Sequence, residues 1–200
     1  SILVESPEQL ARDWATLGTE TCWVRGAGRP GRGIGVASLP CRSVEQAQCW
    51  VDYWQGWDAM MASEYLDGRN LTWLSVWKEG QLLAAQCRER LEYVIPHVSP
   101  SGVTGAPAVS RTISCDGLHD LGQRAVRTLM AEPHGIFFCD MTEKAPGDPR
   151  VTEVNPGRFG TTMHFYTAAG VNFPEIALRA AMDLDFPFEP PIINPVEEGL

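Results

Sequence analysis

Apolar residues recur along this chain at two spacings, and each spacing predicts a different element. In "SPEQLARDWATLG", Leu10, Trp14 and Leu17 form the stripe of a helix buried on one side. Ser6 is a suitable N-cap, Pro7 fits the first helical position, Gln9 completes a capping box, and Gly18 stops the helix. A second helix is expected in "SVEQAQCWVDYWQ", with a capping box from Ser43 to Gln46. "DGLHDLGQRAVRTLMAE" puts Leu118, Leu121, Ala125 and Leu129 on one face of a third, and a last helix runs through "FPEIALRAAM".

Shorter apolar runs predict strands: "TCWVRG", "IGVASL", "MMASEYL", "GIFFCDM" and "RVTEVNP". "LTWLSVWKEGQLLAAQCRERLEY" reads as a β-hairpin turning at Glu79-Gly80, and the polar "TEKAPGDP" joins a second hairpin. Residues 96–110, rich in Pro, Gly and Ser, are expected to be loop. Antiparallel hairpins interleaved with helices define an α+β chain, without the repeated crossovers of a parallel sheet.

Composition narrows this without redirecting it. Two hundred residues suffice for one good-sized core or for two small lobes, and 44% apolar residues describe a globular chain. A net charge of −9, with 16 scattered basic residues, offers no basic stripe for nucleic acid. The six cysteines are widely spaced, with no C-x-x-C, which argues against zinc and a disulfide framework and for a reducing, cytoplasmic setting. No apolar run reaches the ~18 residues that span a bilayer. The opening in "SILVESPEQLARDWATLG" and the Pro-rich close lead us to expect a fragment of a longer protein.

Candidate chemistry gathers in "VTEVNPGRFGTT". Strand alternation puts Glu153 and Asn155 on one face and Val154 on the other. If this strand pairs with "GIFFCDM", Asp140 approaches both, and two carboxylates with an amide oxygen suit Mg²⁺ or Mn²⁺. The competing reading is a solvated polar face. Val151, Phe137 and Cys139 suggest instead a buried hairpin, in which Arg158 would act as counter-ion or face a phosphate. "RGAGRPGRGIG" interleaves glycines with Arg25, Arg29 and Arg32, and could cradle an anion or be a flexible hairpin tip. It fits neither a P-loop nor a Rossmann fingerprint.

The β–glycine loop–β unit, the strand ending "SEYLDG", and the late hairpin bearing Asp140, Glu153 and Asn155 together resemble an ATP-grasp domain. The likeness is to carbamoyl-phosphate synthase large subunits and biotin-carboxylase-like carboxylate ligases, over roughly residues 1–183. It implies a β-rich lid subdomain (1–65), an antiparallel-sheet core subdomain (66–185) and a Pro-rich C-terminal tail (186–200), with the family's preceding N-terminal domain absent.

By this resemblance Arg25 contacts ATP phosphates, and Gly31, Gly33 and Gly35 belong to the phosphate-covering loop. Glu64, Tyr65 and Leu66 match the hinge that receives adenine. Asp140, Glu153 and Asn155 match the Mg²⁺ ligands, Arg158 the arginine that holds the transferred phosphoryl group, and His97 a substrate-side loop histidine. Leu71 stands where the family often has a ribose-binding glutamate, with Asn70 beside it, and "N-P-G-R" inserts a glycine where carbamoyl-phosphate synthases have "N-P-R".

The implied activity is ATP- and Mg-dependent activation of a small-molecule carboxylate as an acyl phosphate, which an amine or similar nucleophile then attacks. The alternative is a degenerate ATP-grasp module that binds nucleotide without catalysis and serves assembly or regulation. Partners beyond these small molecules are the missing N-terminal domain and, compatibly, a second copy in a homodimer; neither nucleic acid nor membrane is expected.

Overall fold

The structure is a computed structural model and describes residues 1–28, 37–103 and 105–199. These form two units: Ser1–Leu66 with Pro96–Val103, and Asp67–Ile95 with the described residues beyond 104. Gly31, Gly33 and Gly35 lie outside the described residues, as does the first half of "IGVASL".

The first unit contains β1 (Ile2–Val4), α1 (Pro7–Asp13), β2 (Cys22–Gly26), β3 (Leu39–Cys41), α2 (Val44–Tyr53) and β4 (Met60–Glu64). Its antiparallel sheet runs β1-β4-β2-β3. Leu10 from α1 and Ala47 and Val51 from α2 pack with Val4, Val24, Met60 and Ala62. The expected first helix divides at Trp14, where α1 gives way to a 3-10 turn (Trp14–Leu17) that ends at Gly18, φ 68°. Both capping boxes form with one change. Ser6 Oγ accepts from the Gln9 amide, but Gln9 Oε1 accepts from Glu5, one residue before the N-cap. Gln46 likewise reaches back to the Arg42 amide.

The second unit contains β5 (Asn70–Lys78), β6 (Gln81–Tyr93), β7 (Pro107–Ile113), α3 (Asp116–Leu129), β8 (Gly135–Ala145), β9 (Asp148–Pro156), α4 (Met163–Ala168), α5 (Phe173–Ala181) and β10 (Ile192–Ile193). Its sheet runs β10-β6-β5-β8-β9, with β7 also on β6. The first hairpin turns at Glu79 and Gly80, both at positive φ as a two-residue primed turn requires.

Three expectations change here. Residues 107–110 are strand, not loop: β6 outruns β5, and β7 pairs with its far edge from Cys87 to Tyr93. The connection expected to span "TEKAPGDP" shrinks to Pro146 and Gly147, because both strands continue into it. Leu129 lies outside the α3 core face, 65% exposed, and Val126 is buried instead. The Pro-rich C-terminal stretch also docks on the sheet. Ile192 and Ile193 run parallel to Ala84 and Ala85, Asn194 Oδ1 accepts from the Cys87 amide at 2.8 Å, and Val196 is buried.

Directly opposed residues share a face, so the register assigns the sheet two surfaces. On one, Trp73, Trp77, Cys87, Phe137 and Cys139 pack against Leu118 and Val126 of α3. On the other, Leu74, Val76, Ala84 and Phe138 pack against α4, α5 and Val196. The candidate site lies at one end of this second face.

Candidate functional site

Pairing of β8 with β9 puts Asp140 directly opposite Glu153 and Phe138 opposite Asn155, all on the α4/α5 face. The ladder shifts between Asp140 and Met141 and again between Glu143 and Ala145, and it continues to the short turn at Pro146-Gly147. β9 is an edge strand, so the burial expected from Val151 does not hold: that residue is 36% exposed. The deep end of the site is Asp140, whose side chain is 20% exposed.

Two arginines reach it from β6. Across the sheet Arg88 aligns with Thr72 and Asp140, and Arg90 with Asn70 and Thr142. The intervening β5 carries only short side chains at these positions, so both guanidiniums pass over it toward β8. Arg90 forms an ion pair with Asp140. Arg88 donates through Nε to Thr72 Oγ1 at 3.3 Å and through Nη1 to Thr162 Oγ1. Both lie over the Phe138 ring, 5.6 and 5.9 Å from its centre. Beyond β9, Gly157 at φ 76° turns the chain, its amide donating to Ile136 O, and Arg158 Nη2 donates to Asn155 Oδ1 at 2.5 Å. Gly160 is required by contact: a Cβ there would stand 2.7 Å from the Phe138 ring. Arg88, Arg90, Asp140, Asn155, Arg158 and Phe138 thus line one pocket within the second unit.

Burial raises the Asp140 carboxyl above its ordinary value, and Glu153 across the ladder adds to this, while Arg90 and Arg88 oppose it. The Arg88 guanidinium is pulled below its ordinary value, chiefly by burial. The donor chemistry fits a hard divalent cation. Asp140, Glu153 and Asn155 present oxygens on one face, and a cation there would relieve the repulsion between the two carboxylates. In this structure Arg90 neutralises Asp140 and Arg158 occupies Asn155. Among the described residues, no group of three or more His, Cys, Asp and Glu side chains is arranged to hold a metal. The Asn155 amide would be the third protein oxygen of such a site.

The other expected residues fall on the first unit. Arg25 on β2 sits opposite Met61, and Tyr65 stacks on Trp23, ring centres 5.9 Å apart. Glu64 ends β4 opposite Cys22, and Leu66 follows it. His97 is exposed in a 3-10 turn (Pro96–Val98). Leu71 is buried beside Trp73 on the α3 face, turned away from the pocket. Arg88 and Arg90 had no expected role. The signal for them was present: two arginines at strand spacing, following the buried run "LLAAQC".

By sequence the chain matches no family model and no curated protein. By structure it is similar to D-alanyl-alanine synthetase A from Vibrio cholerae, with TM-score 0.64, 14% identity, and coverage of 91% of this chain and 57% of that one. It is also similar to carboxyaminoimidazole ribonucleotide synthase from Aspergillus clavatus complexed with ATP, with TM-score 0.63, 16% identity and coverage of 91% and 46%. The biotin carboxylase domain of Hydrogenobacter thermophilus 2-oxoglutarate carboxylase gives TM-score 0.65 at 12% identity, covering 93% and 41%. All three are ATP-grasp enzymes, and the chain has the ATP-grasp fold. It spans about half the length of these structures.

Proposed function

We propose that this chain is the ATP-grasp portion of an ATP- and Mg-dependent ligase that activates a small carboxylate as an acyl phosphate. The observation that carries the reading is the cross-strand constellation of Asp140, Glu153 and Asn155, with Arg158 beside it, on an ATP-grasp fold. Asp140, Glu153 and Asn155 would hold Mg²⁺, which when bound would neutralise charge on the nucleotide phosphates. A carboxylate oxygen attacks the γ-phosphorus, the bond to the bridging oxygen breaks, and ADP leaves. Arg158 faces the migrating phosphoryl group and Arg25 the remaining phosphates. Gly31, Gly33 and Gly35 cover them, and Glu64, Tyr65 and Leu66 receive the adenine. An amine or similar nucleophile then displaces phosphate from the acyl carbon. Residues 1–65 act as lid, 66–185 as core and 186–200 as the C-terminal segment.

The chain works in the cytoplasm beside a preceding domain of the same polypeptide, and a homodimer is compatible with it. All six cysteines are free, and among the described residues no helix is long and apolar enough to cross a membrane. One observation favours a second reading, a nucleotide-binding module without catalysis. Leu71, at the usual ribose-glutamate position, is buried in the opposite face and cannot reach a ribose from there. ADP release from ATP, assayed with a panel of carboxylates, separates the two. A ligase gives carboxylate-dependent ADP; a pure binder gives none with any member of the panel.

A further inference from the structure

A buried arginine ordinarily faces a carboxylate, because an unpaired buried charge costs several kcal/mol. Arg88 breaks this rule. It is 3% exposed, yet among the described residues no Asp or Glu lies within ion-pair distance, and its recorded hydrogen bonds go to two hydroxyls, Thr72 and Thr162. The nearby carboxylate, Asp140, is already paired with Arg90. Arg88 nevertheless lines the pocket, with Arg90 and Arg158 beside it. The charges of the second unit's other face are treated differently. Glu143 is held bidentately by Arg69 at 2.7 and 2.8 Å, and Glu89 is held by Arg111 at 2.8 Å. There each buried carboxylate has its arginine, whereas among the described residues Arg88 has no carboxylate.

We propose that Arg88 is the anchor of an oxyanion-binding site whose ligand is a carboxylate or phosphoryl group, seated in the pocket formed by Arg88, Arg90, Phe138 and Arg158. The planar guanidinium has five donors, of which the two hydroxyls use two, and its fork matches the paired oxygens of either group. Thr72 and Thr162 hold the guanidinium in place, and Phe138 supports it from below. Arg90 is shared: it balances Asp140 and leans over the same ring. The proposal deepens the ligase reading and rests on it only for the source of the anion, which is either the nucleotide's phosphoryl group or the substrate's carboxylate.

The test is isothermal titration of the 200-residue chain with inorganic phosphate and with acetate, at constant ionic strength set by chloride. At least one anion binds, and Arg88→Met weakens it by about tenfold or more, the loss of one charge-assisted hydrogen bond. Arg88→Lys, which keeps the charge but not the fork, also weakens it. Arg150→Met, an exposed arginine outside the pocket lining, stays within about twofold. If Arg88→Met does not fold by circular dichroism, Arg90→Met replaces it, with the same expected direction. Mg·ATP that displaces the anion assigns the site to the nucleotide, and acetate that binds alongside Mg·ATP assigns it to the substrate. Arg88-dependent binding without any Mg·ATP binding overturns the ligase reading and leaves the anion site standing. No binding of either anion, or equal affinity in wild type and the folded variants, overturns the site.

Discussion

The two faces of the second unit's sheet bury charge in opposite ways. Toward α3, Trp73 and Trp77 fill a dry layer, and the carboxylates at its end, Glu89 and Glu143, are matched by Arg69 and Arg111. Toward α4 and α5, the apolar layer ends in Arg88, held by hydroxyls, and in Asp140, crowded by Glu153. The first face is balanced within itself, as a surface that carries stability should be. On the second, Asp140 is paired with Arg90, but among the described residues no carboxylate pairs with Arg88, and that is the group a ligand would complete.

The largest effect is expected at Trp73, which is fully buried and packs so tightly that a Cβ on Gly122 would stand 2.4 Å from its ring. Trp73→Ala should cost about 4 kcal/mol in urea unfolding; a loss below about 1 kcal/mol would remove the dry face from its role.

Next comes Glu143→Gln, expected to cost about 2 kcal/mol at pH 7 through the bidentate Arg69 pair. Arg69 holds the Glu143 carboxyl below its ordinary value. Its contribution is therefore complete above the ordinary carboxylate range and is lost as pH falls through the lowered folded value. Urea midpoints of wild type and variant should converge as pH falls below the lowered folded value of Glu143; a constant gap would contradict the pairing.

On the opposite face Arg88→Met should leave stability within about 1 kcal/mol of wild type, since a buried charge is exchanged for an apolar chain of similar length. A cost of about 3 kcal/mol or more would make Arg88 a structural residue.

The smallest effect is at Asp140, whose folded carboxyl lies above its ordinary value through burial and Glu153. The folded state then binds the proton more tightly than the unfolded chain, so wild-type stability declines as pH rises from the ordinary to the raised value. The melting temperature of Asp140→Asn relative to wild type should be higher at pH 7 than at pH 4. The reverse trend would show Arg90 to be the stronger influence.

Much of this fold was legible in the sequence because its hairpins are local. Glu79-Gly80 and Pro146-Gly147 close the two hairpins, and the β8–β9 pairing places Asp140 across from Glu153. β7 was hidden because its start is Pro-rich and its reason for being strand is the overhang of β6. The arginines of "RERLEY" have no role legible in the sequence because their neighbours lie on other strands. Arg88 meets Asp140's strand only after β5 inserts Thr72 between them, and it meets Thr162 only after the chain turns back at Gly157. The stretch "VTEVNPGRFGTT" shows the limit well. Glu153 and Asn155 follow from alternation, whereas the use of Thr162 as an acceptor for a buried guanidinium follows only from the tertiary fold.

The central claim is that the β8–β9 constellation is the metal and phosphate end of an ATP site. Its most direct test is calorimetric titration of Mg·ATP into wild type, Asp140→Ala and Glu153→Ala, with folding of each checked by circular dichroism. The account predicts Mg-dependent binding to wild type and at least about tenfold weaker binding to both variants. Affinity unchanged in both folded variants would contradict it.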